Sequence, residues 1–275
     1  MNGFAHHLLT SLRLNFRNPQ ALVFGYVVPV FFLFAFGSIF AKSGKNPLGE
    51  QLGQLLTISA LGGACFGLPI TFVSERERGV WRRYRLTPMP TRWFVASMIL
   101  GRFLIVLSSA LLQLALAIWI YKTHPPLHPW QALIAFCFVS FAFLGLGLVI
   151  CMVANSAGAV QALGQSLFLP MIMIGGIGVP MRMLPKWAQH VAGFLPGRYA
   201  VQAMDSCILK AAGLWKSPFN LFALALIGSA GCLAGAKLFR WENDQKFRPA
   251  SLRWVALAIA AWAAVGLLAE YWHKL

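Results

Sequence analysis

Ser74-Glu75-Arg76-Glu77-Arg78-Gly79-Val80-Trp81-Arg82-Arg83-Tyr84-Arg85-Leu86-Thr87-Pro88-Met89-Pro90 is a densely charged run set between two long apolar stretches, residues 52–73 and 94–121. Ser74 followed by Glu77 has the form of a capping box, acids stand in the first turn, arginines fill the last, and Pro88 and Pro90 stop the helix. The pattern predicts a short helix over 75–86. Val80, Trp81 and Tyr84 recur at helical spacing on one side, and Arg78, Arg82 and Arg85 mark another. Charge content alone fits a juxtamembrane anchor that sets topology. The capping argues for a structured element with a docking partner, for which Arg78, Arg82, Arg83 and Arg85 are the candidates to pair with acidic groups and Trp81 and Tyr84 the candidate apolar anchors.

The flanking sequence sets the class. Of 275 residues, 59% are hydrophobic and only 11% charged, with a mean hydropathy of +0.68, too few charges for a soluble surface. The chain reads as an all-α integral membrane protein, because unpaired strand amides are not tolerated in lipid. Windows at 21–41, 52–73, 94–121, 131–153, 161–180, 219–238 and 254–271 each approach the roughly 20 apolar residues that a crossing needs. The net charge of +16 would point to nucleic acid in a soluble protein. Here the Lys and Arg residues cluster beside apolar segments, where the anionic leaflet and topology account for them, and no nucleic-acid partner is expected. The 5 cysteines show no CxxC spacing, which supports neither a disulfide framework nor a zinc site.

Before the first window, Phe4, Leu8, Leu12 and Phe16 recur opposite His6, Arg13 and Arg17, so residues 2–18 are predicted to be a helix in the membrane interface rather than a signal peptide. With that helix cytoplasmic, alternating spans place Arg76 to Arg92 and Lys237 to Arg253 inside, in the direction of the positive-inside rule.

The 7 acids all fall in loops or at helix ends, whereas ion-coupled carriers normally keep a carboxylate at mid-membrane. There is no GxxxxGK[ST] loop either: Gly44-Lys45 is followed by Asn46, and Ile39 stands where the first glycine belongs. If nucleotide drives this protein, another chain binds it. No catalytic residues are assigned. His124 and His128 are separated by Pro125 and Pro126, which forbid the helix that would align their rings on a metal. His190, Asp205 and Ser206 lack the glycine context of a nucleophile elbow.

A second patterned segment spans 184–210. Pro185, Trp187, Val191, Leu195, Pro196 and Tyr199 predict short helices that dip into the outer leaflet or cap a cavity; a plain interfacial loop is the alternative. The fifth window carries Gln161, Gln165, Phe168, Pro170, Met171 and Met173, then Gly175-Gly176-Ile177-Gly178-Val179-Pro180, so it should be kinked near its outer end. Amides and thioethers there could line a greasy substrate path, with Phe31, Phe34, Thr57 and Phe66 as further candidates. Ordinary helix packing explains the same residues. Gly63 with Gly67 and Gly231 with Gly235 are read as close-approach pairs, and Arg102 as a cation that snorkels or faces a wet vestibule.

Taken in order, the N-terminal interfacial helix, the Glu-x-Glu-x-Gly run with basic residues and Thr-Pro-x-Pro, and Leu-Pro-x-Trp followed by Leu-Pro-x-x-Tyr-Ala resemble the ABC-2 type permease, the membrane subunit of ATP-binding-cassette exporters. The match covers about residues 1–240. It implies a six-helix bundle working as a dimer with a second permease copy or paralogue in a bacterial inner membrane. It also implies a separate ATPase subunit, holding ATP and Mg, docked beneath each copy. Glu75, Glu77 and Gly79 fall on the signature positions, and 75–86 on the coupling helix. Arg198, where such permeases often have a small or apolar residue, departs from the pattern, as does a seventh helix after a cytoplasmic linker within 241–275. The expected activity is ATP-driven export of an amphipathic or lipid-like compound. An ATPase-independent carrier or channel, and a membrane-embedded enzyme or scaffold, are the alternatives.

Overall fold

The computed structural model describes residues 2–40, 47–86, 90–211, 213–216, 218–241 and 249–274, and every regular element among them is helical. The amphipathic α1 (Asn2–Arg17) is followed by α2 (Val23–Phe40), α3 (Leu52–Glu77), the short α4 (Val80–Arg85), α5 (Thr91–Tyr121) and α6 (Pro129–Val153). Next come α7 (Ala157–Met173), the short α8 (Lys186–Ala192) and α9 (Pro196–Ile208), α10 (Pro218–Lys237) and α11 (Pro249–Lys274). The described residues include 6 helices long and apolar enough to cross a membrane, namely α2, α3, α5, α6, α10 and α11. The chain is a multi-pass membrane protein.

The fifth predicted window divides. α7 starts earlier than the apolar run, where the Ser156 hydroxyl caps it by accepting from the Ala159 amide at 3.2 Å. It has 17 residues, the short end of what spans a bilayer. It stops soon after Pro170, whose carbonyl takes the amides of both Ile174 (2.8 Å) and Gly175 (3.1 Å), and Gly176 adopts φ +80°. The expected irregular outer end is therefore a turn.

α3 is the axis of the bundle: every residue from Gln51 to Val73 is buried. Glycines allow its neighbours to close on it and on each other. A Cβ at Gly164 of α7 would come within 2.7 Å of the Cys65 carbonyl oxygen of α3, and one at Gly145 of α6 within 2.7 Å of the Gly228 carbonyl oxygen of α10. Gly231 meets the backbone at Gly145 just as closely, and Gly235 rests on Leu148, so that GxxxG pair serves helix approach. α11 lies along α10. The Lys237 ammonium sits 5.3 Å from the centre of the Trp254 ring at one end. Halfway along α11 the Trp262 indole donates to the Phe194 carbonyl, and nearer its far end Glu270 lies 3.7 Å from His190 Nδ1. The seventh helix thus props the α8–α9 hairpin.

The predicted 75–86 helix is two pieces. Ser74 to Glu77 form the last turn of α3, and α4 begins only at Val80. Between them Gly79 takes φ +69°, and the amides of Arg78 and Gly79 return to the carbonyls of Ser74 and Arg76, both at 3.1 Å. This is a glycine-terminated helix end, not a capping box, and no side chain caps α4. The predicted stop at Pro88 and most of the predicted linker after Trp241 lie outside the described residues.

Candidate functional site

The arginine-rich end of the bundle is built around Trp81. Its side chain is fully enclosed, edge-on to Phe72 at 5.3 Å and to Phe94 at 5.5 Å, and stacked on Phe239 at 5.6 Å. Its indole N–H donates to Glu75 Oε2 at 3.2 Å, which ties α4 back across the glycine break to the end of α3. The guanidinium of Arg76 lies 5.8 Å from the centre of the Trp81 ring and donates to the Ala154 carbonyl just past α6. Arg240, beyond α10, donates to the Met152 carbonyl at 3.0 Å and to the Asn155 side chain. Two buried arginines thus satisfy carbonyls at the negative end of the α6 dipole.

Tyr84 extends the cluster toward α1. It meets His7 edge-on at 4.8 Å and Phe94 at 5.2 Å, while His7 Nδ1 bonds the Ser97 hydroxyl of α5 at 2.7 Å. Burial first, then the neighbouring His6, holds the His7 imidazole below its ordinary value, which favours the neutral ring. Phe4 packs edge-on to Trp93 at 5.6 Å. Aromatic contacts therefore join α1, α3, α4, α5 and the segment after α10 into one hub. Trp81 and Tyr84, predicted as anchors for a docking partner, face inward. The other side of this junction is charged: Glu77 and Arg78 at the end of α3, and Arg82, Arg83 and Arg85 on α4, are exposed, and Leu86 at the end of α4 is 88% exposed.

Arg76, Phe94, Phe239, Arg240 and Trp241 belong to this hub, and sequence reasoning missed them. Arg76 and Arg240 read as topology charges. The signal available was aromatic: Phe239 and Trp241 flank Arg240 just past the end of α10.

The substrate-path candidates separate. Phe66 and Phe168 come together edge-on at 5.2 Å, and Phe24 stacks on Phe66 at 4.8 Å. Thr57 is fully buried and its hydroxyl donates to the Gly53 carbonyl of its own helix at 2.7 Å, so it offers nothing to a ligand. Met171 is also core. Phe31, Phe34 and Met173 are exposed apolar side chains, and Gln161 and Gln165 are exposed on α7.

At the opposite end, Tyr199 is buried and donates to the Gly193 carbonyl, closing the α8–α9 hairpin, with Phe219 edge-on at 5.8 Å. Pro196 is buried in the first turn of α9, whereas Pro185 and Trp187 are exposed. Arg198 donates to the Gln189 carbonyl at 3.5 Å. Asp205 stands in the last turn of α9, at a helix end as expected, with its Oδ1 enclosed against Gly53 in the first turn of α3.

Residues 7–209 match the family described as ABC-2 type transporter. The chain is 21% identical over 231 residues to a Bacillus subtilis (strain 168) protein named as a transport permease, YvfS, across 82% of this chain and 94% of that one. It is 32% identical over 162 residues to ABC transporter G family member 20 of Dictyostelium discoideum, across 57% of this chain and 22% of that protein.

Proposed function

Because the chain belongs to the ABC-2 type transporter family, membrane subunits of transporters whose ATPase is a separate chain, we propose that α4 is where that ATPase docks and through which its motion enters the membrane. In this reading the permease exports an amphipathic or lipid-like compound from a bacterial inner membrane, with its N-terminus cytoplasmic and ATP and Mg held by the partner. The observation that carries it is the two-faced construction of α4. One face presents Arg82, Arg83 and Arg85 to solvent, with Arg78 exposed at the junction before it, and the other is fixed by Trp81 and Tyr84 into a hub joining four further segments. A push on such an element is not absorbed locally, because packed aromatic clusters shift between discrete arrangements rather than deform continuously. The ATPase needs differential contact with α4 in its nucleotide-bound and free states for this to do work.

A second permease copy completes the unit. Gln161 and Gln165 expose amides on an apolar helix, which is costly against lipid and favourable against another polar surface. Gln161, Gln165, Leu169 and Met173 follow one another at spacings of four, and the exposed Leu169 and Met173 continue the stripe. Copurification tests the docking face. Arg82→Glu with Arg85→Glu should leave the permease folded and remove the ATPase from the purified complex. Undiminished ATPase recovery from that variant would refute the assignment.

A further inference from the structure

Arg102 lies about 16 Å along α5 from Thr91, well inside the span, and is 2% exposed. Its Nε donates to the Gly63 carbonyl at 3.2 Å, while Nη1 and Nη2 are enclosed and have no hydrogen-bond partner. Among the described residues no carboxylate pairs with it. A buried guanidinium with two unsatisfied nitrogens is expensive in a membrane interior unless something negative meets it.

The surroundings are shaped for this cation. A Cβ at Gly67 would collide with the guanidinium, one at Gly63 would stand 3.8 Å from Nε, and one at Gly25 would stand 4.0 Å from Nη2. Gly25 lies in one π-helical turn, Val23–Val27, and Gly63 and Gly67 bound another, Gly63–Gly67. Such widened turns recur at functional sites. Beyond the guanidinium is a cavity of about 10 Å³, the room of roughly one water-sized atom, within about 190 Å³ of free space counting its open mouth. Ser11 and Asn15 of α1 and Thr71 of α3 line it with Arg102. Asn15 donates to the Ser11 carbonyl at 2.9 Å, and the Thr71 hydroxyl donates to the Gly67 carbonyl at 2.9 Å with Asn15 Oδ1 3.5 Å away. Of the polar groups that line the cavity, the two terminal nitrogens of Arg102 are the buried donors left without a partner.

We propose that this pocket between α1, α3 and α5 binds a phosphate, one anionic oxygen entering the chamber against Arg102 and the rest of the group occupying the mouth. The phosphate belongs either to an inner-leaflet phospholipid or to the aqueous phase. Arginine suits this chemistry through its paired, planar donors. The proposal is independent of how the ATPase docks.

Thermal unfolding of the full chain tests it, using delipidated protein in a maltoside detergent and sodium gluconate at fixed ionic strength. Inorganic phosphate and short-chain phosphatidylglycerol are titrated separately, with sodium chloride and the matching diacylglycerol as controls. Near saturation a phosphate-bearing probe should raise the midpoint by roughly 5 °C, and Arg102→Gln should abolish the rise. A response to both probes identifies the free anion as sufficient, and a response to the lipid alone identifies the headgroup as the source. No response to either, an equal response to chloride or diacylglycerol, or an undiminished response in Arg102→Gln would overturn the site. Asn15→Asp guards against a variant that fails to fold. It places a carboxylate of the same shape in the cavity and should remove the phosphate response, so a full response there also counts against the proposal.

Discussion

At Trp81 the chemistry of a single side chain separates two roles that its sequence neighbourhood runs together. A fully buried indole among Phe72, Phe94 and Phe239 holds the hub, and its truncation should cost about 3–5 kcal/mol. We expect Trp81→Ala to lower the unfolding midpoint sharply, while Arg82→Glu with Arg85→Glu, on the exposed face, lowers it far less and still loses the ATPase. Unfolding curves of the two variants side by side check this contrast. Asp205 supplies a second prediction. Burial against α3, opposed only by Lys210, pushes its carboxyl from the ordinary 3.8 up to about 7. The folded chain therefore holds a proton that the unfolded chain releases. The associated stability is fully present below about pH 4 and is lost as pH rises toward 7. The midpoint of the wild-type chain should fall across that window, and Asp205→Asn should make the fall shallower. A profile unchanged in Asp205→Asn would place the titration elsewhere.

At the scale of elements, legibility followed physical clarity. Apolar windows of membrane length declared themselves because a span has no other way to satisfy its backbone. The Gly231 and Gly235 pair was equally plain, since only small residues permit such backbone approach. The junction of α3 and α4 was not legible. Ser74, Glu75, Arg76 and Glu77 look like the start of a helix by composition, yet they continue α3 because Arg76 finds a carbonyl at the end of α6, a partner far away in sequence. What ends α3 is Gly79 in the left-handed region, with nothing within 4 Å of an added Cβ. Gly79→Ala should therefore cost about 1 kcal/mol through backbone strain alone, a midpoint loss of roughly 2–4 °C. Gly49→Ala, equally uncrowded but without a positive φ, should not lower it. Equal effects of the two substitutions would deny the glycine hinge.

For the whole molecule, the arginine-rich hub and the α8–α9 hairpin stand at opposite ends of one central helix, α3, whose sides are closed by every neighbour it touches. Displacement at the hub therefore has a stiff route to Gly53 and Asp205 at the other end. The same view leaves the α7 stripe facing outward. Cysteine at Gln165 should form a permease–permease disulfide under oxidation, while cysteine at Trp119, 75% exposed on α5, should not. The hub's inward face was hidden in the sequence because its members, His7, Trp81, Phe94 and Phe239, come from four separate segments. Its outward face was readable as a run of arginines. Whether nucleotide-driven force enters there is tested most directly by a photo-crosslinking amino acid placed at Arg82 and, separately, at Trp187 on the opposite end, in cells expressing the intact transporter. The expected result is a covalent adduct at position 82 with a protein carrying a GxxxxGK[ST] phosphate loop, and none at 187. An ATPase that copurifies yet crosslinks only from position 187, or from neither position, would contradict the account.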